Sequence, residues 1–163
     1  ILNGTEAFIE DIVPFSDIPV AVEQFFKIDI DHVLIKELGG TVDYITKDTI
    51  ADLKTSKRKP AVQNHSTQQS VYKMLAQANG VDVQHNLIQA VVLKKTSEGM
   101  ILPMEPNVPQ AKGLINSMLD TLDLVMKDVA PIETILRGNP KYMFCSNKYC
   151  ALYNDCPFVQ GKL

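Results

Sequence analysis

Nothing in the 163-residue sequence marks a membrane span or a leader. No apolar run is long enough to cross a bilayer, and no series of charged, apolar and small residues opens the chain. A cytoplasmic setting is therefore expected. The sequence also lacks a Walker-type phosphate loop, a dinucleotide fingerprint and a nucleophilic Ser-His-Asp arrangement, so ATPases, Rossmann enzymes and triad hydrolases are poor fits. With no helicase motif, any motor would be a separate protein. Cysteine is scarce: there are 3, all between positions 145 and 156, too few for a disulfide scaffold. Positive charge is not in surplus either. The formal net charge of -3 argues against a broadly basic nucleic-acid surface, although a local basic stripe with a bound metal can serve. No repeat, low-complexity segment or second domain is evident. We expect one domain over 1–163 with a cysteine-containing tail over 138–163; the abrupt start at Ile1 suggests a missing N-terminal segment.

The most informative stretch is 39 to 59. Two runs rich in β-branched residues, Thr41 to Ile45 and Thr49 to Leu53, flank the polar Thr46-Lys47-Asp48 and predict a β-hairpin. If Thr46 to Thr49 form the loop, Ile45 pairs with Ile50 and Asp43 lies opposite Asp52 on one face, with Lys54 two residues further along. Two acids placed together without a partner repel each other, and a divalent cation is the natural remedy. Lys54, Lys57, Arg58 and Lys59 follow as a basic stripe that no acid interrupts. Judged alone, that stripe is as well explained by a solvated strand end.

The segment resembles the nuclease core of the PD-(D/E)xK superfamily, most closely its RecB-like and phage-exonuclease branch. The residues that carry the resemblance are Gly40-Thr41-Val42-Asp43, then Asp52-Leu53-Lys54-Thr55, then Gln68 and Tyr72 in a Gln-x-x-x-Tyr pattern. The resemblance implies an α/β, restriction-endonuclease-like core: a mixed sheet, an antiparallel meander plus a central strand, flanked by helices. It also implies a metal-dependent DNA nuclease, most readily an exonuclease of phage or bacterial recombination and repair. Asp43, Asp52 and the Leu53 carbonyl would hold Mg2+ or Mn2+, whose preference for hard oxygen ligands they match. Lys54 would orient or help deprotonate the attacking water. Gln68 and Tyr72, with Lys57, Arg58 and Lys59, would support the active site or bind the DNA backbone. DNA is the implied partner, with a single-strand annealing protein or a helicase as candidate protein partners. A catalytically idle DNA-binding subunit and an endonuclease or resolvase on the same core are the alternatives.

In that branch a helix before the sheet bears a His or Glu that completes the metal site. Gly4 to Glu10 resembles it, but Phe8 stands where a His is expected, so Glu6 or Glu10 would serve, or a ligand from a missing upstream segment. The two glutamates are also ordinary solvent-facing helix carboxylates. The branch often has a carboxylate on its first strand too, and Glu23 falls within Val20 to Ile30, which reads as that strand. The second strand is expected to start at Val33. Its Gly39-Gly40 pair signals either a bulge or a close backbone approach.

Further along, Ser66 is expected to cap a helix from Thr67 to Asn79 that stops at Gly80, with Val71, Leu75 and Ala78 as its apolar face. Leu87 to Leu93, broken only by Gln89, reads as a central strand, and Met100 to Met104 as an edge strand limited by Pro103. Pro109 opens a long helix from Gln110 to about Val129, with Leu114, Met118, Leu122, Val125 and Val129 as a core-facing stripe. In the tail, Cys145, Cys150 and Cys156 resemble the closing cysteines of RecB-like nucleases that hold a [4Fe-4S] cluster. The first spacing is four residues rather than the usual two, and no fourth cysteine is present. Cluster ligands and free thiols both stand as readings.

Overall fold

A computed structural model describes residues 2–127 together with Val129, Asn147, Lys148, Tyr153, Asn154 and Cys156. Five strands form one sheet in sequence order: β1 Ala21–Asp29, β2 Glu37–Ile45, β3 Thr49–Ser56, β4 His85–Val92 and β5 Glu98–Met104. β1, β2 and β3 make an antiparallel meander, β4 runs parallel to β3, and β5 returns antiparallel to β4. The helices are α1 Leu2–Asp11, α2 Ser66–Ala78 and α3 Val108–Met126. The parallel β3–β4 pair needs a crossover, and α2 supplies it. Two compact units are present, 1–113 and 114–163. The whole sheet, α1 and α2 lie in the first.

β4 is buried on both sides, as its apolar run requires. Ile88 and Ala90 pack with Met104, Val62, Met100 and Leu102 on one face, while Val91 packs with Ala7, Ile12, Phe8 and Ile101 on the other. Residues of α1 thus cover one face. Helix α2 is tied to the opposite side of β4, where the Asn86 amide donates to Gln69 Oε1 at 2.7 Å between two fully buried side chains. At its far end the Asn79 amide donates to the Lys27 carbonyl of β1 at 2.9 Å.

The predicted second strand starts too early. The chain pairs with β1 only from Glu37, because His32 Nδ1 accepts the amides of Leu34 and Ile35 and holds 32–35 in a turn. The glycines make no bulge: Lys27 pairs with Gly39, Phe26 with Gly40 and Phe25 with Thr41 in unbroken register. The close-approach reading explains Gly40, where a Cβ would lie 3.1 Å from Tyr72 Cε1 and 3.4 Å from Leu75 Cδ1 of α2. Ser66 is the first helical residue, not the cap. A 3-10 turn at Val62–His65 already carries its amide to the Gln63 carbonyl. The buried face of α2 is Gln69, Ser70, Met74, Leu75 and Ala76, so Ala78 lies outside it.

Of the stripe expected on α3, Leu114, Met118 and Val129 are exposed and Leu122 and Val125 are half-buried; Ala111 is the buried residue of that helix among the described residues. Periodicity identifies residues that share a helix face; it does not say that anything covers them.

Gly99 gives a direct test of how α1 sits on the sheet. A Cβ there would lie 2.8 Å from the Ala7 carbonyl oxygen and 2.8 Å from Asp11 Cβ, and the Gly99 amide donates to Asp11 Oδ2 at 2.7 Å. Backbone cannot yield as a side-chain end does, so Gly99→Ala should cost about 1–3 kcal/mol in a urea titration, the range for overpacking. A variant as stable as the parent would show that α1 is not held this closely.

Candidate active site

The site is built on a fork between two strands. β2 and β3 pair at Ile45–Ile50 and Tyr44–Ala51, the register expected from the hairpin. Continued by one step it would set Asp43 opposite Asp52, but the ladder ends before that pair. Two facing carboxylates repel, and the Asp43 side chain has a better use: its Oδ2 accepts the Leu53 amide at 2.7 Å. The Ser56 carbonyl accepts from the Leu93 amide at 2.7 Å. Since alternate residues of a parallel ladder send both amide groups to the same neighbour, Asp52, Lys54 and Ser56 bond toward β4. Leu53 then turns its N–H and C=O toward the fork.

Asp52 is 1% exposed. Burial pushes its carboxyl above the usual carboxylate range; the Lys54 hydrogen bond and charge pull it down, Asp43 raises it, and nearby His65 lowers it. Lys54 Nζ donates to Asp52 Oδ1 at 3.0 Å. Oδ2 lies 2.7 Å from the same ammonium, so Lys54 rests against both oxygens of a buried carboxylate. The donor set at the fork is hard oxygen throughout. A buried carboxylate, a second carboxylate and a carbonyl turned the same way fit Mg2+ or Mn2+ better than any softer metal.

Gln68 Nε2 donates to the Tyr72 hydroxyl at 2.9 Å, so the pair predicted to share one flank of α2 is joined. Tyr72 lies over Gly40, three residues before Asp43. Lys57, Arg58 and Lys59 follow β3 as three exposed cations, none of them in an ion pair among the described residues. Cys145 and Cys150 lie outside the described residues. Cys156 is a half-buried free thiol.

A family model, the PD-(D/E)XK nuclease superfamily, matches residues 9–160. The chain belongs to this superfamily. Its fold agrees: the chain is similar, with a TM-score of 0.54, to the crystal structure of a "putative exonuclease" from Eubacterium rectale. The likeness covers 76% of this chain and 55% of that one at 12% identity, so it speaks for the fold alone, and the chain spans about half the length of that protein. No curated protein matches it by sequence.

Sequence reasoning left a third metal ligand open. Glu6 and Glu10 are exposed, and Phe8 is the residue of that helix that reaches the cleft beside Asp43. Among the described residues no three His, Cys, Asp or Glu side chains converge on a metal position. Glu23 stands where the β1–β2 register would set it opposite Asp43, but that pair is missing from the ladder. Its φ of 50° is the one positive value at a non-glycine residue among those described. Glu23 and Asp43 line the same cleft with Leu53, Tyr44 and Gln89. Of these, Gln89 carried a signal in the sequence: it is the one polar residue in the apolar run of β4.

Proposed function

We propose that this member of the nuclease superfamily is a divalent-metal-dependent deoxyribonuclease that works as an exonuclease in phage or bacterial DNA recombination and repair. The observation that carries the reading is Asp52, a buried carboxylate set at the strand fork beside Asp43 and ion-paired to Lys54. A carboxylate kept this dry costs stability even with Lys54 beside it, which is explicable if the group has work to do. Asp43, Asp52 and the Leu53 carbonyl would hold the ion. When bound, such an ion would supply polarisation of the scissile phosphate and offset the charge on the leaving oxygen.

The chain's own groups do the positioning. The Lys54 ammonium has three protons and rests against both oxygens of Asp52, which leaves a proton for the attacking water or a phosphate oxygen. Water adds to phosphorus as the bond to the leaving oxygen breaks. The products are a phosphate monoester and a hydroxyl, and the water's proton passes to solvent or to the leaving oxygen. Lys57, Arg58 and Lys59 would hold flanking phosphates, and the Gln68–Tyr72 pair would brace the wall of the site.

End-labelled duplex and single-stranded DNA, incubated with Mg2+ or with EDTA, test this. Stepwise shortening from an end in Mg2+ alone is expected. Internal cuts would make the protein an endonuclease, and no cleavage of either substrate would remove the enzymatic reading.

A further inference from the structure

The sheet has two edges, and they are finished differently. The edge strand β5 contains Pro103, which has no N–H to offer, and α1 packs against it closely enough for Asp11 to accept the Gly99 amide. β1 has no such cover. It is 9 residues long and free of proline, and among the described residues no strand pairs with its outer side. The Ile30 amide donates to the Lys36 carbonyl at 2.8 Å, in the register that continues Asp29–Glu37, so the even-numbered residues from Gln24 to Ile28 bond toward β2. Phe25, Lys27 and Asp29 turn their backbone groups outward. Two side-chain donors confirm this direction: Gln24 Nε2 donates to the Phe25 carbonyl at 3.1 Å and Asn79 Nδ2 to the Lys27 carbonyl at 2.9 Å, and each carbonyl keeps a second lone pair. Phe25 is 53% exposed, with its ring held over Gly39, where any Cβ would collide with it.

We propose that β1 pairs with β1 of a second copy of this chain, antiparallel and centred on Phe25, to give one continuous sheet across both copies. The register follows from charge. A twofold axis at Phe25 sets that ring opposite its own copy and Glu23 opposite the second copy's Lys27, and symmetry makes the Glu23–Lys27 pair twice. Outward-facing residues must meet outward-facing residues, which leaves few other registers. Centring on Glu23 or on Lys27 sets like charges face to face, centring on Phe26 sets Glu23 opposite Asp29, and centring on Gln24 leaves Lys27 opposite Ala21 with no charge met. The complement of this strand is thus the strand itself. Lys27 is ion-paired to Glu37 at 2.6 Å, but its side chain is half exposed and an ammonium has protons for a second carboxylate. Glu23 is the one residue between Ala21 and Asp29 with no pair in β2, so it is held least by its own sheet. The pairing does not rest on the nuclease reading, although Glu23 brings it beside Asp43 in both copies.

Sedimentation velocity over a concentration series reads the mass directly. The parent is expected to dimerise. Glu23→Lys and Lys27→Glu each set two pairs of like charges face to face, so each should weaken dimerisation about tenfold or more. Mixed in equal amounts, the two variants offer each other only opposite charges, and the mixture should recover the dimer. A misfolded variant could not be rescued in this way. Phe25→Lys, which sets a lysine against its own copy at the centre of the edge, should be monomeric. A parent that stays monomeric at millimolar concentration would overturn the proposal and leave the edge for a different chain. Variants that dimerise as the parent does, or charge variants that dissociate and do not recover when mixed, would overturn it as well.

Discussion

Asp52→Asn is expected to abolish metal-dependent cleavage while leaving the metal-free fold as stable as the parent's, or more so. The two halves of this result have separate causes. A bound metal contributes several kcal/mol of transition-state stabilisation, so losing a carboxylate that holds it should reduce cleavage by about a thousandfold or more. Stability follows from burial. Since desolvation holds the Asp52 carboxyl above the usual carboxylate range, the folded chain keeps a proton that the unfolded chain has already released. This group's contribution is complete below its unfolded value and is lost as pH rises through the folded one. At neutral pH the ionised, buried carboxylate is a cost, reduced but not removed by Lys54. Asparagine carries no such charge and keeps a carbonyl oxygen for the Lys54 ammonium.

Thermal melts of parent and Asp52→Asn should therefore differ most at neutral pH and converge in acid. Adding Mg2+ should raise the parent's melting temperature and leave the variant's unchanged, because only the parent binds the ion in its folded state. A variant that is unfolded with and without Mg2+ would make Asp52 a structural residue and end its catalytic assignment.

The hairpin was legible because its physics is local. β-Branched runs of matching length around a polar turn fix the pairing of Ile45 with Ile50, and that register carries Asp43 toward Asp52. β4 was legible as a strand buried on both faces for the same reason. The fork was not, since it depends on Asp43 preferring the Leu53 amide to a place in the ladder, a choice made in three dimensions. The cleft was still further from view. Gln89 showed itself as a polar residue in an apolar strand, but its partners lie 73 and 45 residues away at Ser16 and Tyr44. Nothing in a glutamate announces the positive φ at Glu23, because that conformation is imposed where the β1–β2 ladder breaks beside Asp43.

Lys54→Ala separates catalysis from binding. The side chain reaches Asp52 from β3 but is itself partly exposed, so its removal opens no core and leaves Asp43, Asp52 and the Leu53 carbonyl in place for the metal. Mg2+ should bind nearly as before, or slightly tighter, since a competing cation has gone from Asp52. Turnover should nevertheless fall by about a hundredfold to ten-thousandfold at saturating metal, the usual contribution of a positioned proton-transfer group. DNA affinity measured in Ca2+ should weaken modestly, because Lys57, Arg58 and Lys59 remain to hold phosphates. The salt dependence of binding should drop by about one unit, since one fewer cation neutralises the backbone. Single-turnover cleavage of an end-labelled strand isolates the chemical step from product release. Should Lys54→Ala cleave at the parental rate and lose only affinity, Lys54 belongs with the basic stripe. The Asp43, Asp52 and Lys54 assignment would then fail even though the superfamily fold stands.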